Sequence, residues 1–418
     1  MNIKNIKNIE YKILYKRILF TLMIIFIYIL GSNIKIADMK SSAQHTNQFL
    51  DLAISNVGGD ITTLNLFSLG LSPWLTTMII MTLLTYRNME KGQKQTRLER
   101  SYKERFFTIL LALIQGYFIL SEYINKGMIH HANFPLMLLI LVAGTMLLVW
   151  LADQNTVYGI AGPTPIVLVS IIKSMFQNKH LQLLDTQTMM IGGIMILVVL
   201  ILLLFIEMIE YRMIYRDIMN ISTSKKDTYV SWKLNPAGSI SIMFNFSLFF
   251  LLGVLIHLVG RWITGDAQYR PPFLELDNPI GVLIFIIMLI ILNYYLSRVM
   301  LNTKRIAKDF QKSGNYFDGI YPGDDTRHYL NRRAKKISAI GALIIGFIIS
   351  LPLISSIFIS GIYDQISIFT QFIILIYITI NITETIRTYL YFDKYKSFLN
   401  KYWQGVRYEI FRSSLVQQ

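Results

Sequence analysis

Long, unbroken apolar stretches separated by short polar segments run through this 418-residue chain. They fall at about residues 18–34, 69–86, 106–124, 134–151, 159–176, 188–209, 237–262, 279–301, 337–359 and 366–386. Each approaches the roughly 20 apolar residues that a helix needs to cross a bilayer. The runs are continuous rather than alternating, which predicts helices and argues against a β-barrel. The pattern therefore predicts an all-α polytopic membrane protein with ten transmembrane helices.

The spans differ in polarity. The sixth and eighth are almost purely aliphatic and suit contact with lipid. The second and its approach carry Thr62, Thr63, Asn65, Ser68, Ser72, Thr76, Thr77, Thr82 and Thr85. The tenth carries Thr370, Gln371, Asn381, Thr383 and Glu384, and the fifth opens on Gly159, Gly162, Pro163 and Pro165. Polar or irregular backbone survives at membrane depth only against protein or water. These three spans are candidates to line an interior path; helix packing through small residues is the plainer alternative. Between the first two spans, residues 47–69 are too polar in the middle (Asn56, Gly58, Gly59, Asp60) to cross. Residues 49–54 predict a short amphipathic helix ahead of Gly58-Gly59. This reads equally as a re-entrant element or as an outer loop resting on the bundle.

Charge supports the span count. The chain carries a net charge of +15, and 33 of its 40 Lys and Arg fall on one side if the loops alternate. The positive-inside rule then puts both termini of this multi-pass chain in the cytoplasm. It also explains the basic balance without nucleic acid. Hydrophobic residues make up 53% and charged residues 16%, against about 25% charged in a soluble domain, so a soluble globule is excluded. The absence of cysteine removes disulfides, thiolate nucleophiles and Cys-ligated metals. The apolar run from Ile18 lacks a small-x-small cleavage site, so no cleavable signal peptide is expected.

No catalytic constellation emerges. The histidines (His45, His130, His131, His180, His257, His328) form no H-E-x-x-H pair, and no Walker sequence is present. Asp153, Glu207 and Glu210 sit at span ends, and no acid lies deep in a span, which argues against a proton-coupled secondary transporter. A membrane-embedded enzyme would need polar groups clustered at one interface. No metal site, cofactor or catalytic residue is therefore expected. What stands out instead is two basic loops. Residues 210–235 hold Arg212, Arg216, Lys225, Lys226 and Lys233. Residues 302–336 hold Lys304, Arg305, Lys308, Lys312, Arg327, Arg332, Arg333, Lys335 and Lys336 around a turn-rich centre, 313–325. A loop this long is more than a connector. It suits a soluble partner, or blandly an anionic lipid surface.

Several motifs in order carry a resemblance. They are Gly58-Gly59 through Phe67-Ser68-Leu69-Gly70-Leu71-Ser72-Pro73-Trp74-Leu75-Thr76, and Leu111-Ala112-Leu113-Ile114-Gln115. Then follow Ala143-Gly144-Thr145-Met146 with Trp150-Leu151-Ala152-Asp153-Gln154, and Leu234-Asn235-Pro236-Ala237-Gly238. The last pair is residues 306–314 with Gly319-Ile320-Tyr321-Pro322-Gly323-Asp324-Asp325-Thr326. Together they resemble the SecY family, the central subunit of the protein-conducting channel, across almost the whole chain.

The resemblance implies two pseudo-symmetric five-helix halves, residues 1–176 and 177–418, closing like a clamshell around a central pore. It implies a pore ring of Leu71, Leu75, Thr164, Leu168, Met243 and Ile374, with a plug at about 49–63 that turns at Gly58 and Gly59. It implies a lateral gate where Thr76, Gln115 and Asn235 approach one another. It implies a motor dock built from Lys304, Arg305, Lys308, Lys312, Tyr321, Arg327, Arg332 and Arg333. The expected partners are a SecA-type ATPase, an unfolded preprotein, small SecE/SecG-like or accessory subunits and membrane lipid, with no nucleic acid and no enzymatic activity of the chain itself. Two departures matter. Tyr321 stands where the family usually has Arg, and the approach to the fifth span reads Gly162-Pro163-Thr164-Pro165 rather than Gly-Asn-Gly-Ile-Ser. With the short loops, these point to the accessory SecY paralogues of Gram-positive bacteria, which export serine-rich glycosylated adhesins; a general SecY-type channel is the alternative.

Overall fold

The computed structural model describes residues 3–36, 54–59, 64–87, 96–125, 133–177, 186–217, 228–265, 278–358 and 363–391. Its helices are α1 (Ile3–Asn33), α2 (Ser72–Arg87), α3 (Arg97–Asn125), α4 (Phe134–Tyr158), α5 (Thr164–Gln177) and α6 (Thr186–Met208). A hairpin, β1 (Glu210–Tyr215) and β2 (Thr228–Lys233), follows. Then come α7 (Ile240–Thr264), α8 (Pro279–Leu301), α9 (Thr303–Ser313), α10 (Asp324–Phe358) and α11 (Tyr363–Tyr391). Each apolar run read from the sequence lies on a helix. Among the described residues, six helical stretches are long and apolar enough to cross a membrane: Ile13–Asn33, Leu98–Ile124, Phe134–Tyr158, Ile240–Thr264, Pro279–Ser313 and Asp324–Leu351.

Packing neighbours form a closed circuit. Following it, α2 packs on α3, α3 on α4, α4 on α1, α1 on α5, α5 on α11, α11 on α10, α10 on α8, α8 on α7 and α7 back on α2. One core, which includes Tyr28, Phe67, Leu71, Phe250, Phe285 and Ile374, joins these helices. The aliphatic α6 and α8 turn Ile194, Leu197, Ile201, Leu283, Ile287 and Ile291 outward, as a lipid-facing surface requires.

Three expectations need correction. The protein is not purely helical: β1 and β2 pair antiparallel, from Glu210 opposite Lys233 to Tyr215 opposite Thr228. Alternation that buries Met213 and Trp232 on one face supplies the strand signal. The fifth helix starts at Thr164, not Gly159, because Ala161 and Gly162 have φ of 59° and 57°, values a right-handed helix cannot contain. The ninth apolar run is the far part of a longer helix, since α10 begins at Asp324 and runs 35 residues.

Candidate functional site: a stoppered centre, its seams and a basic platform

Residues 54–59 fold back against the bundle, between α1, α5 and the residues that lead into α2. Ile54, Ser55, Asn56 and Val57 are all buried. The Val57 carbonyl accepts from the Leu71 amide at 2.8 Å, the Gly58 carbonyl from the Tyr28 hydroxyl at 3.0 Å, and the Gly59 carbonyl from Ser170 Oγ at 2.7 Å. A Cβ placed on Gly58 would meet Ile166, Leu71 and Val167 in ordinary van der Waals contact. The stretch is thus held by α1, α5 and the start of α2. Of the short helix expected at 49–54, only Ile54 is described, and it is helical; residues 49–53 and 60–63, with Thr62 and Thr63, lie outside the described residues.

The approach to α2 is built by its polar residues. Asn65 Oδ1 accepts from the Phe67 amide at 2.9 Å, and Ser68 Oγ accepts from the Asn65 amide at 2.8 Å. This is an Asx-type turn that satisfies buried backbone without a helix. It delivers the chain to Gly70 (φ 59°) and then Leu71. Pro73, in the first turn of α2, lacks only an amide that would be unpaired there anyway.

The expected ring residues fall in or against the one core. Leu71, Leu75, Met243 and Ile374 are buried within it, and Leu168 packs partly buried against it. Thr164 is buried at the first turn of α5, where its hydroxyl bonds back to the Ala161 carbonyl. An apolar constriction excludes ions by dewetting. We therefore expect Leu75→Ser and Ile374→Ser each to raise resting ion conductance in planar bilayers, the pair more than either alone. Wild-type conductance in both single variants would refute a constriction here.

Thr76, Gln115 and Asn235 do not join by hydrogen bonds. Thr76 donates to the Ser72 and Pro73 carbonyls of its own helix. Gln115 is fully buried with neither amide atom bonded. Asn235 donates to the Tyr377 hydroxyl on α11. The bonds between α2 and α7 come from residues the sequence reading did not single out as a pair: Ser247 Oγ donates to the Ser72 carbonyl at 2.7 Å, with the two hydroxyls 3.4 Å apart. Between α3 and α7, Phe118 meets Phe250 and His257 edge-on, with ring centroids at 6.4 Å and 4.9 Å. Opposite lies the α5–α11 seam, with Ser174 bonded to Gln371 at 3.4 Å. Lys173 on α5 is a second residue the reading missed; its Nζ donates to the carbonyl and hydroxyl of Ser32, both at 3.1 Å.

The two basic loops make a single platform. Met213, Trp232, Leu301, Ala307, Phe310, Phe317, Leu330, Ala334 and Ile337 form a second core, separate from that of the bundle. Phe310 and Phe317 stack at 5.2 Å, with Tyr215 against Phe310 at 4.9 Å. Backbone pairing of Arg216 with Tyr316, at 2.8 and 3.2 Å, ties one former loop to the other. Asn302, in the left-handed region (φ 36°), breaks α8 from α9 and accepts from the Arg305 amide. Within α9 this buries Ala307 and Phe310 and leaves Arg305, Lys308 and Lys312 exposed. Arg327 and Arg332 are exposed on α10, Lys304 is half-buried, and Arg333 lies over the rings of Tyr329 and Tyr211. Tyr321 is 79% exposed.

Lys233 pins the platform to the bundle. Its ammonium pairs with Glu207 at 3.1 Å and with Glu384 on α11. Partial burial opposes its charge, but the hydrogen bond it donates to Glu384 and the charge of Glu207 outweigh burial and raise its pKa. It is therefore cationic at neutral pH. Glu207, read from the sequence as a span-end charge, and Glu384, read as one of the polar residues of the tenth span, thus share Lys233 across three elements.

Comparison with known proteins agrees with this geometry. The chain is 52% identical over 400 residues to the accessory Sec system protein translocase subunit SecY2 of Staphylococcus haemolyticus, covering 95% of this chain and 100% of that protein. It is 49% identical over 403 residues to the protein of the same name from Staphylococcus aureus strain Newman, covering 96% and 100%. The solved structure of a protein-conducting channel shares its fold with a TM-score of 0.63 at 15% identity, covering 90% of this chain and 92% of that one. Sec61 in the canine ribosome–channel complex gives 0.59 at 15% identity, with the same coverage. The SecY family profile matches residues 65–383. On that match and these relatives, the chain belongs to the SecY family.

Proposed function

We propose that this chain is the central channel subunit of an accessory Sec translocase, threading unfolded preproteins across the plasma membrane. The observation that carries this is a buried, non-spanning return of backbone, residues 54–59, bonded to Tyr28, Leu71 and Ser170 and packed against Ile166 and Val167, in a chain about half identical along nearly its whole length to accessory Sec translocase subunits. In this reading ten helices cross the membrane as two five-helix halves, 1–176 and 177–418, which meet at the α2/α3–α7 and α5–α11 seams. Both termini and the platform face the cytoplasm. Leu71, Leu75, Thr164, Leu168, Met243 and Ile374 form the constriction, and residues 49–63 the plug. The α2/α3–α7 seam is the lateral exit, with Gln115 on its α3 side.

The platform receives a SecA-type ATPase, which supplies the energy, so the chain is not itself an enzyme. Small SecE/SecG-like or accessory subunits complete the assembly. The cargo is a serine-rich glycosylated adhesin. Exposed Tyr321 offers one hydroxyl where Arg would offer a five-donor fork, so it discriminates between motors. Depletion of the protein, followed by comparison of the secreted proteome, tests the function. Loss of one or a few large serine-rich surface proteins is expected. Broad loss of secretion would instead mark a general channel, and an unchanged secretome would refute translocation. In reconstituted vesicles, Tyr321→Arg should shift activity from the dedicated motor toward the housekeeping one. Equal use of both motors, unaltered by the substitution, would remove Tyr321 from motor choice.

A further inference from the structure

The α3–α7 seam carries a charged bridge for which the channel reading gives no role. Arg261, in the last turn of α7, donates from Nη1 to Ser121 Oγ at 3.1 Å and from Nη2 to Glu122 Oε2 at 3.4 Å, both near the end of α3. The Arg261 and Glu122 side chains are only 15% and 12% exposed. One turn earlier on each helix, His257 and Phe118 meet edge-on. Nearer the other end of α7, the two serines Ser72 and Ser247 bond. The seam is thus closed by neutral groups toward the platform end and by an ion pair at the far end.

We propose that the Arg261–Glu122–Ser121 bridge is a clasp that resists sideways release of cargo into lipid, making Arg261 and Glu122 specificity-determining residues for full passage over membrane insertion. The proposal rests on reading the α2/α3–α7 seam as the lateral exit. Interhelical bonds between neutral polar groups in membranes are weak, about 0.6 kcal/mol on average, so the serine end parts readily for an arriving apolar segment. Parting α3 from α7 at the other end leaves an arginine and a carboxylate without each other where little water reaches them. Removing one partner of such a pair is far costlier than removing a neutral contact. The seam therefore opens by degrees: far enough at the platform end for a signal segment to intercalate, and with difficulty along its full length. Only full opening lets a passing segment leave.

The test uses the full chain in cells, with its motor and partner subunits. The cargo is an exported reporter carrying a 19-residue Leu/Ala segment of graded leucine content, that length being about what crosses a bilayer. The readout is the fraction of reporter retained in the membrane. Glu122→Gln and Arg261→Gln should each raise retention of a marginal segment about fivefold, which corresponds to roughly 1 kcal/mol of lost closure. The charge-exchanged pair, Glu122→Arg with Arg261→Glu, should return the threshold toward wild type. Ser121→Ala, which strands no charge, should shift it in the same direction by less, and serves if a charge variant fails to accumulate. Unchanged thresholds in the single variants, or an exchanged pair no better than either single variant, would overturn the clasp. A separate arm addresses the seam itself, in a chain free of native cysteine. A Ser72→Cys, Ser247→Cys disulfide should abolish membrane retention of every segment. If oxidation leaves retention intact, the seam is not the exit and the clasp falls with it. If oxidation blocks retention while the Glu122 variants behave as wild type, the exit stands and the clasp alone is refuted.

Discussion

A Gly70→Val channel is expected to leak ions at rest and to accumulate poorly. Gly70 has φ of 59°, a left-handed conformation that costs an L-residue about 1–2 kcal/mol and a β-branched one more. A Cβ at this position would lie 2.3 Å from the Gly59 nitrogen and 2.7 Å from the carbonyl carbon of Gly58. Those atoms are backbone and cannot swing aside. The collision therefore pushes residues 58–59 away, and with them the bond from the Leu71 amide to the Val57 carbonyl. Strain and lost seating together reach the several kcal/mol that only named structural failures produce. Single-channel recording in planar bilayers reads the leak directly. Gly253→Ala is the matched control, because an added Cβ there has no atom within 4 Å. Equal resting conductance in Gly70→Val and wild type would show that segment 54–59 is not the seal.

The second large effect falls on the platform. Phe310→Ala removes a ring packed between Phe317 and Tyr215. Truncating a buried phenylalanine costs about 3–5 kcal/mol. Among the described residues the platform's core has nine buried ones, too few to absorb such a loss, so the hairpin and α9 should separate. The bundle's own core shares none of them. Motor-dependent export should fall at least about tenfold, as a loss of 1.4 kcal/mol already gives, while resting conductance stays at the wild-type value. The turn at 314–323 should become sensitive to limited proteolysis. Normal export by a fully accumulated Phe310→Ala protein would show that the platform's packing does not serve the motor.

The helices were legible because apolar length is the dominant signal in a bilayer, and the loop charges placed them in order. The hairpin was not, because Tyr211, Met213 and Tyr215 alternate over only six residues inside a loop rich in charge. Helix α9 was hidden for a similar reason: Ile306, Ala307 and Phe310 give it an apolar face, but four basic residues dominate its composition. The motif before α2 marked the stopper's place, though periodicity alone left a re-entrant stretch and an outer loop equal. The seam partners were the least accessible. Ser72 with Ser247, Arg261 with Glu122, and Lys233 with Glu384 are each more than 100 positions apart, and no local pattern pairs residues at that distance. The resemblance, not any spacing within the chain, implied that Thr76, Gln115 and Asn235 approach one another; their hydrogen bonds run to a helix's own carbonyls, to no partner, and to α11.

Helix α10 joins the platform's core to the bundle's without interruption: Leu330 and Ala334 belong to the first, Ile345 and Ile349 to the second. At 35 residues it extends about 52 Å, well beyond the roughly 30 Å of hydrocarbon. An unbroken helix transmits rotation as well as position, each residue advancing about 100°. One residue gained or lost between Ala334 and Ile345 would turn the basic surface by that angle relative to the seams. The turn at 314–323 can change length without such a penalty. Chimaeras that exchange docks between related channels therefore succeed or fail on angular phase: a junction placed within α10 preserves function only when its residue count is kept.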